Sequence, residues 1–185
     1  TDSHLQEFTA EVVSCRPCDN GYEAVLSRTA FFPEGGGQAA DTGVIDGIRV
    51  YDVQEKGDQI FHYLEGELKE GKTVTGQIDW DKRFSRMQQH SGEHIVSGIV
   101  HARFGYDNVG FHMSSDVITV DLSGVLTEAQ LAEIEAETNQ KIWENSEVEI
   151  NMEEQSANKK LITETLKNYN IEISSITATV GPTVT

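Results

Sequence analysis

Between Glu7 and Asp79 apolar and polar residues alternate in short runs. FTAEVV, YEAVLSRT, GVIDGIRVYDV, QIFHYL and TVTGQID are rich in β-branched and aromatic residues, and Asn20-Gly21, Asp46-Gly47, Lys56-Gly57-Asp58 and Glu70-Gly71 separate them. This pattern predicts strands joined by tight turns, hence a small antiparallel barrel or curled sheet, with His62 as a packing residue inside one strand. The period then changes. Phe84, Met87, Ile95 and Ile99 recur at helical spacing over a segment from about Trp80 to Phe104, which predicts a central helix. Gly98 inside it costs about 1 kcal/mol against Ala and hints at a close neighbour. FHMSSDVITVDL alternates again, with Ile118, Val120 and Leu122 on one side, and reads as a strand. Thr127 with Gln130 forms a capping-box pattern at the start of a second helix, striped by Leu131, Ile134 and Ile142 and acidic elsewhere. The expected fold class is α+β.

Three segments follow from these changes of character. Residues 1–79 are β-rich and carry a glycine motif, residues 80–150 form an α+β domain around the central helix, and residues 151–185 are a tail of different composition. In that tail NMEEQSANKKLITETLKNYN predicts a short amphipathic helix with Ile162, Leu166 and Tyr169 in register, followed by a Ser/Thr-rich strand, IEISSITATVGPTVT.

The chain's 185 residues, 37% of them hydrophobic, are enough to bury a core. No apolar run reaches the length of a membrane span, and TDSHLQEF has neither the basic nor the apolar region of a signal peptide, so a cytoplasmic chain with no membrane partner is expected. A net charge of −17 argues against affinity through broad phosphate contacts, and no double-stranded DNA partner is expected. A local contact is compatible with that charge. Lys82, Arg83 and Arg86, opposed by Asp81 alone, read either as a phosphate-contacting cluster or as a solvated helix turn. Cys15 and Cys18 form a C-x-x-C at an expected turn and read as incidental thiols, with a redox pair or half a zinc site as the alternatives.

The chemistry concentrates in WDKRFSRMQQHSGEHIVSG. His90 and His94, four apart, project from one helix face and can grip one metal ion, for which paired imidazoles suit zinc. His101 shares that face, but seven residues beyond His94 means about 10 Å of rise, too far for the same ion. His112 is expected to meet solvent or packing. The string H-x-x-E-H also fits an inverted zincin, with Glu93 as general base. Upstream, TAFFPEGGGQAADTG offers a glycine run whose backbone can approach a ligand closely, a feature that peptidase chemistry does not ask for.

TAFFPEGGGQAADTG, IDWDKRFSRMQQHSGEH and VGFHMSSDVITVDL, in that order and spacing, resemble the editing domain of alanyl-tRNA synthetases and the free-standing AlaX-type trans-editing proteins, over roughly residues 5–150. The resemblance implies hydrolysis of the ester joining a wrong amino acid, serine or possibly glycine, to the acceptor end of tRNA(Ala), at zinc held by His90 and His94. It carries selection of the serine hydroxyl to Thr29 with Gln38 as a second polar contact, a backbone wall beside the terminal adenosine to Gly35, Gly36 and Gly37, and tRNA contacts to Arg83 and Arg86. It also implies a later Cys-x-x-x-His motif with the remaining zinc ligands, and no cysteine follows Cys18. LITETLKNYNIEISSITATVGPTVT instead looks like the opening of the motor region of septal DNA translocases, so the segment 151–185 reads as divergent or foreign and the editing domain as truncated. The competing readings are a metallopeptidase and a non-catalytic module, or inactive fusion, that binds tRNA ends.

Overall fold

The computed structural model describes residues 2–114, 117–145, 151–155 and 159–163, the last two ranges by backbone alone. Alternation becomes sheet as expected. The strands β1 (Glu7–Cys18), β2 (Gly21–Leu26), β3 (Gly43–Ile45), β4 (Ile48–Lys56), β5 (Gln59–Leu64) and β6 (Thr73–Ile78) close into an antiparallel barrel in the order β1-β2-β5-β4-β3-β6. Closure leaves no open edge. Every second residue of β1 from Phe8 to Val12 points inward, as do Val74 and Ile78 of β6. Two bulges correct the count where strict alternation would fail. The register slips between Val12 and Ser14, which lets Val12 and Cys15, three apart, both reach the core, and between Val50 and Asp52, which lets Val50 and Val53, also three apart, both face it. Gly43 sits where β3 crosses β6 so closely that a Cβ would stand 2.1 Å from the Gln77 carbonyl oxygen. Only glycine permits that approach.

The GVIDGIRVYDV run folds as a hairpin, because Asp46 and Gly47 both take positive φ, 48° and 80°, and break it into β3 and β4. Cys15 and Cys18 lie inside β1 as free thiols, not at a turn; the turn begins at Asp19.

Helix α1 runs Trp80–Phe104, as the periodicity predicts. Asp79 precedes its first residue, and the Thr42 hydroxyl together with the Lys82 ammonium holds its carboxyl below the usual range. Beyond α1, β7 (Asn108–Met113) and β8 (Ile118–Leu122) form a two-stranded sheet where a single strand was expected. Ser114 donates its backbone N–H to the Val117 carbonyl at 3.0 Å. Helix α2 (Glu128–Glu144) has the expected capping box on Thr127 and Gln130 and ends on Asn145 in the left-handed region. The expected helix after residue 150 is absent from the described residues: β9 (Asn151–Gln155) pairs antiparallel with β10 (Lys159–Thr163), Met152 opposite Ile162. Three apolar positions supply too short a stripe to hold an isolated helix. The strand expected in residues 171–185 lies outside the described residues, as do Leu166 and Tyr169.

The chain divides into two units. The first holds the residues up to Met87 with the described residues of His112–Ile118; the second holds Gln88–Phe111 and the described residues from Thr119 onward. The first unit's core is the barrel interior, including Phe8, Val12, Phe31, Ile45 and Leu64. The second unit's core joins Ile99 and Val100 of α1 to Ile134 of α2, flanked by Phe104, Tyr106 and Leu122.

A buried ion pair and a buried imidazole lie within the first unit. Arg83, 6% exposed, forms a buried ion pair with Asp41, 1% exposed. Its Nε donates to both carboxylate oxygens at 3.0 and 2.9 Å, Nη2 reaches Asp41 and the Ala30 carbonyl, and Nη1 reaches the Ser3 carbonyl at 2.9 Å. His62 is fully buried with its Nδ1 3.2 Å from the Ala24 carbonyl oxygen. Burial pushes its pKa from 6.5 down to about 4, against a smaller upward effect of that bond.

Both generate predictions. Asp41→Ala should lower the unfolding free energy in urea by about 3 kcal/mol or more, because it strands the Arg83 charge, and Asp41→Leu with Arg83→Met should cost less. An Asp41→Ala midpoint equal to wild type would show the pair to be idle. Between pH 6.5 and about 4 the unfolded chain takes up the His62 proton and the folded barrel does not. Stability therefore falls as pH drops through that window, by roughly 3 kcal/mol in all, and this contribution levels off below it. Melts of wild type and His62→Gln across pH 3.5–7.5 should show a shallower acid loss in the variant; parallel curves would refute the assignment.

Candidate functional site

In the first unit the glycine motif makes a loop between β2 and β3. At its base the Asp41 carboxylate accepts from the Phe32 backbone N–H at 2.7 Å, and the Asp41 N–H donates to the Phe32 carbonyl at 2.9 Å. At its tip Gly35 and Gln38 exchange two backbone hydrogen bonds, 3.1 and 3.0 Å, around Gly36 and Gly37 with φ of 58° and 79°. Two consecutive left-handed residues explain why glycines stand there, since a Cβ on Gly36 would meet no atom within 4 Å. Gly35, Gly36 and Gly37 are exposed and the Gln38 side chain beneath them is buried.

Thr29, half-buried, follows the end of β2. Its Oγ1 accepts from the Phe31 N–H at 3.1 Å and lies 2.8 Å from His62 Nε2. Phe31 also sets its ring edge-on to His62, centroids 5.5 Å apart at 82°. Of the two arginines expected to meet tRNA, Arg83 has its guanidinium engaged inside the protein as described above. Arg86, half-buried, reaches the glycine segment's end, with Nη1 2.5 Å from the Ala40 carbonyl oxygen.

In the second unit α1 presents His90, Glu93 and His94 with candidate ligand atoms all within 4.8 Å of one another. The imidazoles stack, centroids 4.9 Å apart at 25°, and Phe111 lies against His90 at 5.3 Å and 30°. Glu93 is buried, whereas His94 is exposed. One Glu93 oxygen accepts from the Ser97 hydroxyl and from the Asn108 amide, the latter at 2.7 Å. The other is 3.3 Å from His94 Nδ1. Neither cysteine belongs to this group, and it is the metal-competent cluster found among the described residues. His101 pairs with Asp107 at 2.9 Å, and His112 is exposed.

The resemblance carries serine selection to Thr29, and the residue that touches it is His62, expected only to pack inside a strand. The position of His62 on an inward strand face signalled burial, and a buried imidazole needs partners for both nitrogens. Nothing in the spacing indicated that one of them would be Thr29, 33 residues away. Asn108, which holds the Glu93 carboxylate, carries no signal in the sequence either.

Residues 4–82 match the family described as class II tRNA synthetases (A). The chain is 37% identical over 164 residues to the mouse alanyl-tRNA editing protein Aarsd1, an alignment covering 80% of this chain and 40% of that protein. It is 39% identical over 145 residues to the alanyl-tRNA editing protein AlaX-L of Pyrococcus horikoshii, covering 75% and 36%. Against the alanine–tRNA ligase of Ignicoccus hospitalis it is 44% identical over 108 residues, covering 56% and 12%. The chain thus spans two-fifths or less of the length of these relatives. No helix among the described residues is long and apolar enough to cross a membrane. A closed six-stranded barrel followed by a helix bearing His90 and His94, together with these matches, supports an alanyl-tRNA synthetase editing-type domain.

Proposed function

We propose that this domain removes a wrong amino acid from tRNA(Ala), hydrolysing the ester of Ser-tRNA(Ala) with the help of a zinc ion held by His90 and His94. The observation that carries the reading is the convergence of two imidazoles and a buried carboxylate within 4.8 Å, in a chain whose relatives are named alanyl-tRNA editing proteins. Two nitrogen donors with a neighbouring carboxylate are a donor set that zinc accepts, and the stacked rings already share one face of α1. When bound, the ion supplies polarisation of the ester carbonyl or acidification of a water. The protein's part is orientation. Phe111 packs on His90 and fixes its ring, and Asn108 and Ser97 hold Glu93 so that its second oxygen meets His94 Nδ1, which leaves His94 Nε2 as the outward nitrogen.

Burial and two donors on one oxygen of Glu93 weigh against its serving as the general base of a peptidase. Selection falls to Thr29, whose hydroxyl can pair with serine's and leaves alanine unpaired there. Gln38 gives a second polar contact, the exposed turn Gly35 to Gly37 admits the terminal adenosine against bare backbone, and Arg86, half-buried with Nη1 on the Ala40 carbonyl, is the arginine assigned to the RNA. Arg83 supports them from inside.

Zinc titration of the purified chain should show one site, weakened about tenfold or more in His90→Ala and His94→Ala, and Ser-tRNA(Ala) deacylation should stop on chelation. Stoichiometric zinc in both variants would remove the ligand assignment, while tRNA binding without hydrolysis would make the domain a recognition module. Thr29→Val should lower serine removal about tenfold with zinc content unchanged; equal rates would end its role in selection.

A further inference from the structure

Two hydrogen bonds on His62 fix which way a third one points. The Ala24 carbonyl can only accept, so the His62 nitrogen 3.2 Å from it, Nδ1, carries the ring proton. At neutral pH the ring is uncharged, because burial holds its pKa near 4. Nε2 is then a bare acceptor, and the Thr29 hydroxyl 2.8 Å away must donate to it. A threonine hydroxyl has one proton and two lone pairs. The proton is committed to His62, one lone pair receives the Phe31 N–H at 3.1 Å, and one lone pair is left.

We propose that His62 is a positioning residue that locks the Thr29 hydroxyl as an acceptor toward the ligand, so that the side chain selected is one that brings its own proton. The proposal rests on the reading that Thr29 meets the amino acid of the mischarged tRNA. A serine hydroxyl satisfies the open lone pair by donating; a methyl group leaves it unpaired; a group that can only accept faces a lone pair and is repelled. A rotatable hydroxyl would bind donors and acceptors alike. The lock is rigid, because Phe31 supplies both the N–H that holds Thr29 and the ring edge that holds the imidazole, and Phe8 in turn stands edge-on to Phe31 at 5.8 Å.

The test uses the whole chain and needs no turnover. Binding is measured for amide-linked analogues of the tRNA end, 3′-serylamino-3′-deoxyadenosine and its alanyl counterpart, with wild type, Thr29→Val, His62→Leu and His62→Gln. Glutamine can donate to Ala24 and accept from Thr29, so it is the rescuing variant. The serine preference should fall roughly fivefold in His62→Leu and return in His62→Gln. Imidazole nitrogen shifts provide the second measurement: at pH 7 His62 should be the Nδ1-protonated tautomer, and Thr29→Val should move Nε2 alone. A protonated Nε2 overturns the proposal even if His62→Leu fails to fold. Preference retained in His62→Leu but lost in Thr29→Val overturns it and spares the reading of Thr29; no serine preference in wild type, or no binding, overturns both.

Discussion

The first unit depends on one buried ion pair. Arg83 brings a guanidinium into a site where only 6% of it is exposed, and such a charge is tolerated only if nearly every donor is met. Asp41 meets three of its bonds, and the carbonyls of Ala30 and Ser3 meet two more. The same carboxylate takes the Phe32 N–H and so closes the base of the glycine loop. One pair therefore fixes the first turn of α1, both ends of the loop and a residue near the start of the chain. Apolar residues of similar volume could fill that space at comparable stability, but they could not dictate the loop's path through the backbone groups at Ala30 and Phe32.

A second constraint works on the other side of Ala30. Thr29 lies one residue before a backbone group that Arg83 holds and two residues before Phe31, whose N–H the Thr29 hydroxyl accepts. Its backbone is pinned from the loop, and its side chain is pinned from β5 through His62. A fully buried imidazole with both nitrogens committed, in an aromatic frame of Phe31 and Phe8, behaves as part of the core. Half-buried Thr29 is the point at which that core reaches outward.

What the sequence revealed and what it withheld follow one division. Local rules were legible: period-two alternation gave the barrel strands, Asp46-Gly47 gave a hairpin, and Thr127 with Gln130 gave the start of α2. The four-residue spacing brought the His90 and His94 rings to 4.9 Å because a helix alone decides that distance. Long-range pairing was not legible. Arg83 belongs to a cluster that reads either as phosphate-contacting or as a solvated helix turn, and its partner lies 42 residues away; His62 reads as packing, and Thr29 lies 33 residues away. The tail differs for another reason: its short apolar repeat has the helical period, but the backbone of 151–155 and 159–163 pairs as strands.

The charge balance constrains how an acidic chain could recognise a nucleic acid. With 31 acidic and 14 basic residues, cations are scarce, and the structure spends many of them internally. Arg83 is buried; Arg49 pairs with Glu65, Lys82 with Asp79, Arg103 with Glu133 and Glu137, and Lys141 with Glu144. Arg28 is turned onto Thr9 and Lys56 onto Tyr63. Counterion release, which scales with the number of phosphates neutralised, has little to draw on in this domain. On the proposed function, affinity for an RNA end would rest instead on short-range fit, for which the first unit offers an exposed glycine backbone and the half-buried Thr29 hydroxyl, and the second a metal-competent histidine pair. Groups of that kind suit a short ligand better than the many phosphates of a long duplex.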